Sequence, residues 1–410
     1  MSLTRTAVLI IASITLLSAA GNWPAWRGPD ANGYAQGDPP ITWSETKNIK
    51  WKTPIPGKGH GSPIVWGNTI IVLTAADAGN KIKKFTVIAV DRANGKTLWE
   101  NTVCEAKPHE GTHSDGSYAS ASPLCDGERI YAFFGSQGLY CLDMKGKQLW
   151  KKEFGRMKMR FSFGEGSSPA LSEKALIIVW DNEGPSWVTA LDKKTGDELW
   201  KKQRDERSSW ATPLVMKFGG DEIAVVSASK RIRTYAMGNG DIVWEASGMT
   251  MNTIPTPVSD GKTVYLMSGF TGNSLLAISL ADARGYITNF VWQYKHDTSY
   301  VPSALLMNGL LYFLKWNDAL LTVIDTKTGR PLAVKQRIDI PGGVYSSPVG
   351  VNGRVYITSR KGVTAVLRAE APFHIISTNA LSDQFSASAA VVGNEMILRG
   401  HHSLYCIAEK

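Results

Sequence analysis

Apolar and polar positions alternate in short runs along most of this chain, and Asp, Asn and Gly clusters break the runs at regular intervals, as expected of β-strands joined by tight turns. The clearest unit is Ala89-Val90-Asp91-Arg92-Ala93-Asn94-Gly95-Lys96-Thr97-Leu98-Trp99, with a second copy at Ala190-Leu191-Asp192-Lys193-Lys194-Thr195-Gly196-Asp197-Glu198-Leu199-Trp200. Two apolar segments flank an Asp-x-x-x-Gly turn, in which Asp caps backbone N–H groups and Gly supplies a positive φ. This predicts a β-hairpin with the Trp on its second strand. Shorter copies stand at Asp143…Gly146…Trp150, Thr234-Tyr235…Gly240…Trp244 and Val323-Ile324-Asp325…Gly329.

Each copy has an earlier partner hairpin, with a start of the Ser-x-Pro or Thr-x-Pro kind, an apolar strand, a Gly turn and a second apolar strand. Gly61-Ser62-Pro63-Ile64-Val65-Trp66-Gly67-Asn68-Thr69-Ile70 is the first and Ser346-Ser347-Pro348-Val349…Asn352-Gly353-Arg354-Val355 a late one. Four short strands per repeated unit predict an all-β fold, an eight-bladed β-propeller of four-stranded antiparallel blades. The outer-strand positions are Trp51, Trp99, Trp150, Trp200, Trp244 and Trp292, then eroded copies near Ala333 and Ile375, roughly 42 to 51 residues apart. The last unit, from Ser386 to Ile407, has only three strands. The orphan strand Asn48-Ile49-Lys50-Trp51-Lys52 has no partners of its own, so it is expected to complete that blade and close the ring, leaving no frayed edge.

Ahead of the propeller, assigned to 49–410, lie two other segments. Residues 1–20 carry Arg5, an apolar run and Ser18-Ala19-Ala20, the pattern of a secretory signal cleaved near Ala20. The run is too short to span a bilayer, so no transmembrane segment is expected. Residues 21–48, rich in Gly, Pro and Trp, read as an ordered strap in which Trp26 and Arg27 pack against the propeller. Export to the periplasm or beyond would permit disulfides. Cys125 and Cys141, however, fall on the first and third strands of one blade, about 9–10 Å apart, too far for a bond. Buried free thiols are expected there and at Cys406, with pairing of Cys104 left open.

The 410 residues are 43% hydrophobic with 14 Trp, and the net charge is +9. That charge permits acidic partners, but the lysines are scattered at strand ends and no basic run interleaves with aromatics, so nucleic acid is not an expected partner.

The Ala-x-Asp-x-x-x-Gly-x-x-x-Trp repeats resemble the pyrroloquinoline-quinone (PQQ) propeller repeat. That repeat is shared by quinoprotein alcohol dehydrogenases and the propeller lipoprotein of the outer-membrane β-barrel assembly machine. The strap Trp23-Pro24-Ala25-Trp26-Arg27-Gly28-Pro29 with Asn32-Gly33 is similar to the opening of secreted bacterial PQQ-like repeat proteins. The resemblance covers about residues 22–410. It implies that the repeat residues Asp91, Asp143, Asp192 and Asp325 and Trp51, Trp99, Trp150, Trp200 and Trp244 are structural.

Strand alternation puts the loop leading into strand A of each blade and the loop joining strands B and C on one face. The first set supplies His60, Tyr118, Glu165, Trp210, Asn252, Tyr300, Tyr345 and Asp383, close to the axis. The second supplies Gln137, Asp181, Asn182, Lys230, Trp316, Asp318, Arg360, Lys361, Arg399, His401 and His402. The Asp-Gly turns fall on the opposite face. Varied polar and aromatic residues on one rim predict a binding face.

His109-Glu110-Gly111-Thr112-His113 matches the zinc-protease spacing His-Glu-x-x-His, which works on a helix. Pro108, Gly111 and Gly116 make this an inter-blade loop, read as polar, with neither a catalytic residue nor a metal site assigned. The quinoprotein resemblance would imply PQQ clamped between a Trp and a disulfide of adjacent cysteines, with Ca²⁺ held by Glu, Asn and Asp. The chain has no Cys-Cys pair and no residue matched to the calcium ligands or the catalytic Asp. The expected function is therefore an exported, monomeric, non-enzymatic scaffold without a cofactor, its face taking a protein or polysaccharide. The alternatives are a PQQ- and Ca²⁺-dependent oxidoreductase and a carbohydrate-binding propeller using Trp210, Tyr300 and Tyr345.

Overall fold

Alternating sequences of this kind bury one side of each strand against a neighbouring sheet, and eight such sheets must wedge around an axis. The computed structural model describes residues 21–281 and 283–409, so the expected signal segment lies outside the described residues. Eight blades of four antiparallel strands form a ring. The first blade runs Ile64–Trp66, Thr69–Asp77, Lys83–Asp91 and Thr97–Ala106, from the axis outward as strands A to D. The next six span 124–152, 170–204, 214–246, 258–294, 305–337 and 349–380. The eighth takes Ala390–Val392, Glu395–Arg399 and Ser403–Ile407 from the C-terminal end and Ile49–Pro54 as its outer strand, with Trp51 opposite Cys406. The ring closes as the orphan strand predicts, and the eroded positions Ala333 and Ile375 stand on outer strands of the sixth and seventh blades.

The repeat residues build the junctions between blades. Asp91 Oδ1 accepts hydrogen bonds from the backbone of Ala93 and Asn94, Asp143 caps Lys145 and Lys147, Asp192 caps Lys194 and Thr195, and Asp325 caps Thr328. The turn glycine then lies under the Trp of the preceding blade. A Cβ on Gly95, where φ is +75°, would come within 2.6 Å of the Trp51 ring, and Gly240 meets Trp200 in the same way. Trp51, Trp99 and Trp200 donate from Nε1 to the carbonyls of Arg92, Met144 and Met237.

Trp244 departs from this pattern. It is fully buried with an unpartnered Nε1, and the fifth blade packs against it differently. Its longer C–D connection instead lays Gly285–Ile287 parallel to the fourth blade's outer strand, with Gly285 opposite Trp244. This fifth strand was not expected from the sequence.

All four cysteines are free, Cys104 included. Burial pushes the thiols of Cys125, Cys141 and Cys406 up to about 12, so they behave as apolar core groups.

Candidate functional site at the channel mouth

Strand A of every blade faces the axis, and the strap runs across these inner strands. Trp23 pairs with Val65 of the first blade, Pro24 O accepts from Cys125 N of the second, and Tyr34–Ala35 adds a parallel strand to Val349–Val351 of the seventh. Arg27 is 2% exposed and donates to the carbonyls of Asn32, Ala304 and Pro348, so it serves packing, as expected. Gly33, with φ at +79°, admits it, since a Cβ there would lie 2.4 Å from the guanidinium.

Above the strap the inner strands are tied by their own hydroxyls. Ser62 N donates to Ser122 Oγ, Ser122 N to Ser168 Oγ and Ser168 N to Thr212 Oγ1. Beyond a gap, Thr256 N donates to Ser303 Oγ, Ser303 N to Ser347 Oγ, Ser347 N to Ser388 Oγ and Ser388 N back to Ser62 Oγ. The Ser/Thr starts noted in the sequence are therefore the inner seam of the ring. At the gap, Thr256 Oγ1 instead accepts Trp26 Nε1 at 2.8 Å.

Over Trp26 opens a cavity of about 400 Å³ to which the loops leading into all eight blades contribute. Its wall contains His60, Trp210, Tyr300 and Tyr345, four of the residues expected on this face. Arg360 flanks it, lying over the Tyr345 ring at 4.5 Å. Trp316, 40% exposed, packs on Tyr300 and Phe270 at the rim. Asn252 is buried, with Nδ2 3.5 Å from Tyr300 Oη and Oδ1 unpartnered. His401 stacks on His60 with centroids 4.8 Å apart and shares a hydrogen bond with Ser386.

Burial, and then His401 and Lys58, push the His60 imidazole down to about 3, and burial also lowers that of His401. The stacked pair is neutral at pH 7, with His60 Nε2 enclosed and unpartnered. Arg360 is neutralised by Asp115, which also accepts from Tyr345 Oη at 3.2 Å.

The other expected rim residues do not line this cavity. Lys230 pairs with Asp205 away from it, Asp318 and His402 are exposed, and Tyr118 and Glu165 line a separate small cavity. Asp181, Asn182, Asp383 and Arg399 are buried scaffold. Asp181 pairs with Arg204, Asn182 caps its own loop, Asp383 accepts from the backbone of His401 and Ser403 in the eighth blade's B–C loop, and Arg399 donates to Gly59 O. Gln137 O accepts from Tyr140 Oη, and Lys361 packs on Gly342.

Sequence reasoning missed His113, Asp115, Phe163 and Phe270, which also line the channel cavity. The first three sit on residues 107–123 and 153–169, connections of 17 residues each against nine to eleven between other consecutive blades. That excess length was the available signal. The two connections fold over the mouth together, with His113 N donating to Phe163 O and the two rings meeting edge to face. The His-Glu-x-x-His stretch is a non-helical loop, as expected.

A family model described as outer membrane protein assembly factor BamB, of the PQQ-repeat type, matches residues 35–158 and 83–335. The chain belongs to this PQQ-like propeller family. Within the family's wider circle, 201 residues are 24% identical to the outer membrane protein assembly factor BamB of Shewanella oneidensis, covering 47% of this chain and 45% of that one. Another 218 residues are 24% identical to polyvinylalcohol dehydrogenase of a Sphingopyxis species, covering 47% of this chain and 30% of that protein. The chain thus spans less than half the length of either relative. A europium-containing methanol dehydrogenase superposes with a TM-score of 0.66 at 11% identity, over 94% of this chain and 90% of the other, a likeness of fold. Among the described residues no helix is long and apolar enough to cross a membrane.

Proposed function

We propose that this PQQ-like propeller is an exported, non-enzymatic binding or assembly scaffold that takes a protein or polysaccharide partner at the channel mouth. The observation that carries this reading is the convergence of loops from all eight blades on one aromatic cavity, while the opposite face repeats the same capped turns. Such a wall suits a flat or extended group of the partner, stacked on Trp210, Tyr300 or Tyr345. The relationship to an assembly factor supports it. On this reading the protein works as a monomer and holds neither PQQ nor Ca²⁺. Trp210→Ala with Arg360→Ala should abolish partner recovery in pull-downs while leaving the melting temperature nearly unchanged. Recovery equal to wild type would contradict the assignment of this face.

The alignment with polyvinylalcohol dehydrogenase favours a second reading, a PQQ-dependent oxidoreductase whose flat cofactor stacks on Trp210. Stoichiometric quinone absorbance and Ca²⁺ in the purified protein, with dye reduction by an alcohol or sugar, would decide for it. Export carries its own test: sequencing of the native protein should begin at Gly21 or close to it, whereas an intact Met1 would refute cleavage.

A further inference from the structure

The two long connections meet a second time, in a small cavity of about 40 Å³ that shares little of its wall with the channel. His109 and Glu110 come from the first connection and Glu165 from the second, and one ligand atom of each lies within 4.8 Å of the others. Every one of the three is already oriented. His109 Nε2 lies 2.6 Å from Met157 O, Glu110 Oε1 accepts Met159 N at 3.0 Å, and Glu165 accepts from Ser136 N and Oγ, both at 2.5 Å. Gly135 makes room for this last contact, since a Cβ there would collide with the Glu165 carboxylate.

Two features point to a ligand at the cluster. With His109 Nε2 donating to a carbonyl, Nδ1 is the ring's remaining nitrogen, and it is fully enclosed with no hydrogen-bond partner. A histidine fixed through one nitrogen to a backbone carbonyl, with the other left free, is the arrangement that supports metal ligation. Beside it, neither Glu110 nor Glu165 forms an ion pair among the described residues, in a chain with 45 Lys and Arg against 36 Asp and Glu. Two adjacent carboxylates without a counter-charge repel.

We propose that His109, Glu110 and Glu165 form a binding site for a divalent transition cation of the zinc class. One imidazole and two carboxylates match its donor preference and leave a fourth position for water, which the cavity has room to hold. Calcium and magnesium, which take oxygen ligands, suit the nitrogen poorly. His113 is not a ligand, because its ring lines the channel against Phe163. The cation would join residues 107–123 to 153–169 and so hold His113, Asp115 and Phe163 over the mouth. This site does not depend on what the channel binds.

The test uses the full chain, freed of metal by chelator and titrated calorimetrically with zinc chloride alone. One equivalent should bind, and Glu165→Gln or His109→Ala should weaken it by at least about tenfold, while His113→Ala leaves it unchanged. Thermal melts in chelator establish that the variants fold, and Glu110→Gln provides the same comparison if His109→Ala does not. No saturable site, an unweakened Glu165→Gln, or a His113→Ala as weak as His109→Ala would each overturn the proposal.

Discussion

The two faces of this propeller are made by the same strands, yet they obey different rules. On the turn face an Asp caps the turn, a Gly lies flat, and the Trp of the preceding blade covers it, at one junction after another. On the loop face nothing repeats after the Ser/Thr seam: a histidine stack, a tyrosine under an arginine, and two long connections folded across the mouth. Regularity reflects a packing problem solved in the same way each time. Irregularity marks residues freed from that problem, and it is concentrated around one cavity.

The contrast is sharpest in the tryptophans. Trp200 sits on Gly240 with its Nε1 bonded to Met237 O, whereas Trp210, ten residues on, stands half-exposed in the channel wall. Trp200→Ala should lower unfolding free energy by about 3–5 kcal/mol in urea titrations, through the cavity left between blades. A Trp200→Ala protein as stable as wild type would end the junction account.

Acid should act through the loop face. His60 faces His401, Lys58, Arg399 and Arg360, and its imidazole is held down to about 3 in the folded protein. Between the ordinary histidine value and about 3, the unfolded chain takes up a proton here that the folded chain does not. Stability at this site is therefore full above about pH 6.5 and lost as pH falls, by about 2 kcal/mol at pH 5. His60→Phe should flatten that dependence, and an unchanged difference between urea midpoints at pH 7 and pH 5 would show that the burden lies elsewhere.

The smallest effect belongs to the partly exposed Arg360–Asp115 pair. Its loss in Arg360→Ala should cost under about 1 kcal/mol, which is why that variant can report on partner binding. A larger loss would mean the pair holds the connection carrying Asp115 in place.

The chain's own order of residues determined the blade count, the strand pattern, the capped turns and the closure through Trp51, because each depends on neighbours within one hairpin or on a period that repeats. It also identified His60, Trp210, Tyr300 and Tyr345 as residues of one rim, since strand alternation alone assigns them a face. Only the tertiary structure decided that Lys230 points away while Asp115, 245 positions from Arg360, meets it across the mouth. Likewise, only folding joined Glu165 to His109 and left Trp26 as the cavity floor. Connections of 17 residues have no period to constrain them, so their course is fixed by what they touch when the ring has closed.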